Sequence, residues 1–467
     1  MANTKIFILL PDGVGLRNFA FTDFYKKGKS EGMDLVFLNN TPFDLAKMGF
    51  DEIRLKQNRL SFFSEVLKSA RKEIELNCNI RKSKDIVYDS YRFPFSYTTI
   101  KSSVKSSIIR FLIQLFDSEK GLKTVRNLIE KKERKTNFYS ESYELLKIQK
   151  PALVFCTNQR ISLAIAPLLA AQDLEIPTAT FIFSWDNLPK GTMVVETDYY
   201  FVWSSHMKKE LLYYYPYITE NQIVITGTPQ FENHFQLDNI VDRETFFNQN
   251  GLDIHKEYIC YSGDDITTSP YDPHYLSDLI KAVRILNKKG WHLGIIFRRC
   301  PVDFSSRFNT ILEANSDIVT AIIPKWDKVG EGWNTILPTK EDSILQLNII
   351  THTELVVNLG SSMVFDYVAH KKPCAYMNYN PGRKDHNWSV EKIYNYVHFR
   401  NMPTDAVVWL NSPDEIADKI EMILRDEAQE VVGNAQEWFE KINQHPAEES
   451  SKRIWAGIAK ICKKEIC

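Results

Sequence analysis

Three stretches of this chain carry residues whose types and spacing suit phosphate and sugar chemistry. The richest is 355–378, LVVNLGSSMVFDYVAHKKPCAYMN. A buried apolar run is followed there by a polar turn, Asn358 to Ser362, with Gly360 at its centre. Helical spacing then takes over from Met363. A strand that passes through Gly360-Ser361-Ser362 into a helix start offers small residues, hydroxyls and free backbone N–H groups to an anion. Asp366, about one turn further on, is placed to accept hydrogen bonds from ribose or sugar hydroxyls. The plainer alternative is an ordinary strand–helix turn with a serine cap. The second stretch, Arg298-Arg299-Cys300-Pro301, puts cations at a strand end, where arginine suits bidentate phosphate contact. Gly263 lies in a small-residue turn of the same kind, followed by Asp264 and Asp265. The third is Phe183-Ser184-Trp185-Asp186-Asn187-Leu188, again after a strand. There Trp185 offers an apolar plate, Asp186 a proton acceptor and Asn187 an amide. Asp12 and Arg17 follow the first strand in PDGVGLRNF, where Gly13 and Gly15 alone are too little for a dinucleotide fingerprint. Arg160 follows another strand in Thr157-Asn158-Gln159-Arg160.

Such residues need parallel strands to bring their loops to one edge. The apolar runs at 5–10, 34–38, 152–156, 179–183, 199–202 and 223–226 predict strands of a first domain. Those at 258–261, 292–297, 335–337, 355–357 and 374–377 predict a second. They alternate with helical patterns, as in doubly wound α/β sheets. A polar stretch from 227 to about 256 shows no strand signal and reads as the linker. The tail from about 412 reads as helices. In the loop 324–338, Trp326 and Trp333 are available for stacking on a base or for core packing.

The 355–378 run resembles the donor-binding half of GT-B enzymes, and within them the CDP-glycerol glycerophosphotransferase-like proteins and surface-polysaccharide glycosyltransferases. Ser361, Ser362, Phe365, Asp366, Tyr367, Lys372 and Pro373 carry the likeness. Ser184 to Leu188, with Lys190 and Gly191, is similar to a Ser-Trp-Asp-Asn-Leu motif of polysaccharide-type GT-B proteins, and Gly227 and Pro229 match a segment that closes their first domain. Arg298 and Pro301 match an Arg-Pro-His-Pro motif in which Cys300 replaces the histidine, which puts any His-dependent step in doubt.

The resemblance implies two Rossmann-like domains facing a cleft. The expected division is 1–232 for acceptor binding, 233–430 for donor binding, and helices in 431–467 crossing back to the first domain. It implies a glycosyltransferase that uses a nucleotide-sugar donor and a surface-glycan or lipid-linked acceptor. Gly263, Arg298, Gly360, Ser361, Ser362 and Asp366 would hold the donor. Arg160, Trp185, Asn187 and Arg17 would hold the acceptor, and Asp186 or Asp12 would serve as base. No cofactor or metal is implied. A CDP-glycerol or polyol-phosphate transferase, a nucleotide-sugar 2-epimerase and a non-catalytic binding protein are the competing readings.

Composition bounds these readings. The chain has 467 residues, enough for two domains. The 58 basic residues against 59 acidic ones give nothing that favours nucleic acid. Seven cysteines without metal-type spacing favour a reduced, cytoplasmic chain. The Lys- and Arg-rich stretch 102–136, with Ile108 to Phe116 clustered, suits either peripheral contact with an anionic membrane or a solvated helix face.

Overall fold

The computed structural model describes residues 4–56, 60–330, 335–382 and 388–463. Its chain divides into two compact units. One comprises Met1–Gln230, Lys328–Leu337 and Ile442–Cys467, and the other Phe231–Asp327 and Pro338–Lys441.

The first unit is built on strands β1 (Thr4–Leu10), β2 (Met33–Asn39), β3 (Glu52–Arg54), β4 (Leu153–Cys156), β5 (Thr178–Phe181), β6 (Tyr199–Val202) and β7 (Ile223–Ile225). All pair in parallel, in the order β3-β2-β1-β4-β5-β6-β7. Ile6 to Leu10 are fully buried, which is why β1 reads as a continuous apolar run rather than an alternating one. β1 pairs with both β2 and β4, so the chain reverses its direction of winding between β1 and β4.

The second unit begins with β8 (Glu257–Ser262), β9 (Leu293–Arg298) and β10 (Val319–Ile322). Along the chain there follow a two-stranded ladder, β11 (Trp326–Lys328) with β12 (Ile336–Pro338), whose residues Lys328–Leu337 are counted with the first unit, and then, in the second unit, β13 (Val356–Asn358), β14 (Cys374–Met377) and β15 (Val408–Leu410). The six-stranded sheet is also parallel, in the order β10-β9-β8-β13-β14-β15. Its winding reverses between β8 and β13. Both sheets are thus of the doubly wound Rossmann-like type that the sequence predicts.

Two expectations are corrected, and one falls on residues that are not described. The run at 335–337 belongs to the small ladder and not to a main sheet. The stretch 227–256 is not a bare linker, because it holds a 3-10 segment, Pro229–Phe235, and a helix, Arg243–Asn250, capped by Asp242. Trp333 lies outside the described residues.

Between β3 and β4 the chain inserts four helices, Phe62–Ser83, Ile100–Phe116, Glu119–Glu133 and Asn137–Gln149. The basic stretch 102–136 therefore spans two of them. Ile109 is buried against Val66 and Ala70, with Ile108, Leu112 and Ile113 packed around it. Phe111 and Leu115 face outward, as do Ile100 and Val104. Among the described residues no helix is long and apolar enough to cross a membrane.

The last helix, Ser450–Cys462, completes the first unit, as expected of a tail that crosses back. Trp455 is fully buried, stacks on Phe24 at 4.7 Å, and donates its indole N–H to the Phe24 carbonyl at 2.8 Å. Gly28 makes room for it: a Cβ there would meet Trp455 Cε2 at 2.6 Å and Leu35 Cδ1 at 2.7 Å. Arg453 Nε donates to the Thr226 carbonyl, and Thr228 N–H donates to Asn443 Oδ1, so the tail pins the Thr226–Pro229 turn.

Candidate functional site

In an open parallel sheet the loops diverge where the winding reverses, which leaves a crevice at the C-terminal strand ends. Each unit has one such point, and the candidate residues gather at both.

In the first unit the crevice lies beyond β1 and β4. Asp12, two residues past β1, is 7% exposed. Its Oδ1 accepts the Gly15 N–H at 3.3 Å and its Oδ2 accepts Asn158 Nδ2 at 2.9 Å. The second bond ties the β1 loop to the β4 loop across the reversal. Burial raises the Asp12 pKa, opposed by the Gly15 bond, the Arg160 charge and the Asn158 amide. Asn158 Oδ1 accepts the Arg160 N–H at 3.0 Å, which shapes the turn and leaves the Arg160 side chain exposed.

Gln159 reaches sideways. Its Oε1 accepts the Phe183 N–H at 3.0 Å, and its Nε2 donates to Asn187 Oδ1 at 3.3 Å. Asn187 donates to Asp186 Oδ1 at 2.9 Å, and Lys190 forms a short ion pair with Asp186 Oδ2. Two hydrogen-bonded groups, Asp12–Asn158–Arg160 and Gln159–Asn187–Asp186, are thus held side by side by the peptide bond between Asn158 and Gln159. Both oxygens of Asp186 are engaged, one of them by the Lys190 cation, whereas those of Asp12 accept from neutral N–H groups. Trp185 is 8% exposed, so it belongs to the packing of its loop and offers little open ring to a sugar. Arg17 is half-buried and donates to Gln230 Oε1 at 3.2 Å and to Asn18 Oδ1 at 3.4 Å.

In the second unit the crevice lies beyond β8 and β13. Gly360 has φ +62°, and a Cβ there would meet Ile393 Cγ2 at 3.1 Å and Phe399 Cζ at 3.3 Å. Only glycine satisfies both the left-handed backbone and the close approach. The next N–H, from Ser361, donates to Asn358 Oδ1 at 3.0 Å, and Ser361 Oγ accepts the Met363 N–H at 3.4 Å. Ser362 stands exposed at the start of the helix Met363–Val368 and makes no side-chain cap. Ser361 is therefore the capping serine of the pair.

The turn after β8 corrects one expectation. The Gly263 N–H donates to the Arg298 carbonyl at 2.9 Å, and the Asp264 N–H to Asp272 Oδ2 at 2.8 Å, so these donors are not free for phosphate. The two acids beside them behave unusually. Burial, aided by the charges of Asp272 and Asp265, pushes Asp264 up to about 8. Burial pushes Asp272 up to about 6 against its bond from Tyr261. At neutral pH Asp264 is largely uncharged, which removes the repulsion that two adjacent aspartates would otherwise exert on a phosphate. Asp265 caps its own turn through the N–H groups of Thr267 and Thr268. Among the described residues no group of three or more His, Cys, Asp or Glu is placed to hold a metal.

Arg298 ends β9 and is 4% exposed. Nη2 donates to Asp342 Oδ2 at 2.8 Å, and the Trp326 indole N–H reaches the same oxygen at 2.6 Å. Arg298 Nη1 is buried without a hydrogen-bond partner. Trp326 is thus fixed by its indole nitrogen. Burial, with the charges of Asp264, Asp265 and Asp303 adding to it, pushes the Cys300 thiol up to about 12, which suits an inert residue.

Two histidines that sequence reasoning passed over surround Asp366. Asp366 Oδ1 accepts from His234 Nε2 at 2.7 Å, which leaves Nδ1 of a neutral His234 ring to accept from His370 Nε2 at 3.3 Å. Burial, with the charges of His234 and Lys372, lowers His370 to about 4. A cavity of about 440 Å³ opens near the ends of β14 and β15, lined by Asn378, Tyr394, Phe399, Trp409 and Asn411 among others. Tyr394 also lies against Gly360.

No protein-family model matches the chain, and no curated protein matches it by sequence. Its fold does match solved structures. A putative UDP-N-acetylglucosamine 2-epimerase from Listeria monocytogenes superposes with a TM-score of 0.57 at 10% identity, covering 99% of this chain and 98% of that one. The S. aureus protein MnaA, solved with UDP, gives 0.54 at 11% identity over 98% and 97%. An H548A form of the wall teichoic acid polymerase TagF gives 0.51 at 11% identity over 99% and 90%. At such identities the likeness is one of fold, and the fold is GT-B-like.

Proposed function

We propose that this protein is an enzyme acting on a nucleotide-activated sugar or polyol, bound through its phosphates at the β8–β13 crevice of the second unit. The observation that carries the reading is Arg298. A buried guanidinium with one paired and one unpaired Nη, beside a winding reversal, is half of an anion site. The Gly360 turn, the exposed Ser362 hydroxyl and the uncharged Asp264 complete a surface that tolerates phosphate. Asp366, held by His234 through one oxygen, keeps the other for a ribose or sugar hydroxyl. The aromatic and amide lining of the neighbouring cavity suits the sugar or polyol. The fold likeness to UDP-N-acetylglucosamine 2-epimerases and to a wall teichoic acid polymerase supports the same substrate class.

The finer reading is transfer to an acceptor taken up by the first unit. Asp12 is the better base of the two candidates, since burial raises its pKa while Lys190 occupies Asp186. Arg298 would stabilise charge on the departing phosphate. A second reading, 2-epimerisation of the donor alone, is favoured by the fold likeness.

A thermal-shift panel of UDP, GDP, CDP, CMP and their sugar or glycerol conjugates tests the donor class. One nucleotide family should raise the midpoint, and Arg298→Lys should abolish the rise. A flat panel would sink the proposal. Epimer formed from the donor without any acceptor would select the second reading over the first.

A further inference from the structure

The first unit carries a group of cations that its own carboxylates do not balance. Lys68 and Lys72 lie one turn apart on the helix Phe62–Ser83. Lys72 Nζ donates to the Tyr91 carbonyl at 2.7 Å, and Lys190 Nζ stands 5.9 Å from the Tyr91 ring centre, so the two ammonium groups share one neighbour. On the same helix, Arg71 Nη2 donates to the Gly191 carbonyl at 2.7 Å, which clamps the helix to the segment that carries Lys190. Arg160 belongs to the β4 loop, which is tied to the same segment: its neighbour Gln159 donates to Asn187, and Asn187 donates to Asp186, the partner of Lys190. The Arg160 charge acts on Lys68, on Lys72 and on Asp12.

The nearby acids are already matched. Glu65 pairs with Lys105 at 2.8 Å, Glu73 with Arg92, Glu75 with Arg71 and Arg126, and Asp186 with Lys190. Among the described residues, Lys68, Lys72 and Arg160 therefore have no carboxylate within ion-pair distance. Lys68 makes no hydrogen bond either, although it is partly buried. Burial and the charges of Arg71, Arg160 and Lys72 lower it to about 8, with only Glu65 pulling the other way. The charges of Glu65, Glu73 and Asp12 act on these three cations from beyond ion-pair distance, so their mutual repulsion is a standing cost that an arriving anion would lower.

We infer that Lys68, Lys72 and Arg160 form a binding site for a phosphate or diphosphate ester, with Lys190 at its margin. The site lies beside Asp12, so the ester would belong to the acceptor. That assignment rests on the transfer reading proposed above, whereas the anion site stands on its own geometry. The acceptor class it selects is a phosphorylated one, either a diphosphate-linked lipid or a water-soluble phosphate ester.

Calorimetric titration of the whole protein with inorganic pyrophosphate tests the site. In K68M/K72M the affinity should fall by about tenfold or more, as expected for lost charge-assisted contacts, while the response to the nucleotide panel stays as in wild type. The R298K protein should keep this binding event, which separates failure of the donor reading from failure of this one. Wild-type affinity in K68M/K72M, or loss in R298K alone, would overturn the inference. Farnesyl diphosphate distinguishes the two sources: tighter binding than pyrophosphate points to a lipid ester, and weaker binding to a soluble one. K68M alone should also raise the thermal midpoint, because it removes a crowded, desolvated ammonium. A lower midpoint would make Lys68 a structural residue and overturn the site.

Discussion

The two crevices occupy equivalent places in two sheets of the same type, yet they handle charge in opposite ways. In the first unit, polar side chains satisfy one another in two adjoining groups, Asp12 with Asn158 and Gln159 with Asn187 and Asp186, and surplus positive charge is left at the margin. In the second, the acids sink into the sheet end, where Asp264 loses its charge, and the cation Arg298 is buried with a donor to spare. The topology creates the crevice. The loop residues decide whether it presents cations, carboxylates or neutral donors.

The sharpest way to break this comparison is at the acids. Asp12→Asn should lower turnover on the substrate the panel identifies by about 10²–10⁴-fold, the usual worth of a general base, without weakening nucleotide binding. Asp186→Asn should cost much less. Equal losses would mean that the Lys190 pair does not disarm Asp186 and that the two carboxylates act together.

Arg298→Met comes next. It leaves Asp342, itself 4% exposed, without its cation, and should destabilise the second unit by about 3–5 kcal/mol in a denaturant titration. Arg298→Lys should retain most of that stability while losing the nucleotide response. If the methionine variant is as stable as wild type, the Arg298–Asp342 pair is not what holds the β9 end.

The smallest effect is a change of slope. Asp264 is raised from 3.8 to about 8, so between about pH 4 and pH 8 the folded state keeps a proton that the unfolded chain has released. Stability should therefore fall as pH rises through that window. Asp272 adds to the fall between about pH 4 and pH 6. Asp264→Asn should flatten the curve and raise the midpoint at pH 9 relative to wild type. An unchanged slope would show that Asp264 is ionised at neutral pH after all, and the neutral-crevice half of the comparison would fail.

The central strands were legible from sequence because strands buried on both faces read as unbroken apolar runs. Four strands escaped: β3, β10 and β15 at the edges of the two sheets, and β11 in the small ladder; β3 carries Glu52 and Arg54, and β11 carries Asp327 and Lys328. Charged residues break the apolar signature of β3 and β11, whereas β15 lies in the apolar run Ala406 to Leu410 and was legible in principle. At the site, turn chemistry was readable at Gly360, whose neighbours in sequence announce a strand–helix turn. The partners were not. His234 meets Asp366 across 132 residues, and Asn158 meets Asp12 across 146. Lys68 sits in a helix whose sequence shows only an ordinary basic face. Its lack of a counter-charge exists only once Glu65 and Glu73 have found other cations.

The way Trp455 fits over Gly28 has a consequence for how the protein is made. The groove that Phe24, Gly28 and Leu35 offer precedes the whole of the second unit in the chain, and its occupant is synthesised after that unit. At ~5–20 residues per second that delay is on the order of ten seconds or more. During this interval a nascent first unit carries an uncovered aromatic groove, and the second unit has everything it needs to fold ahead of it. Chaperones that hold apolar surface would find their target there. A ribosome stalled before residue 450 should display a folded second unit beside a protease-sensitive first one.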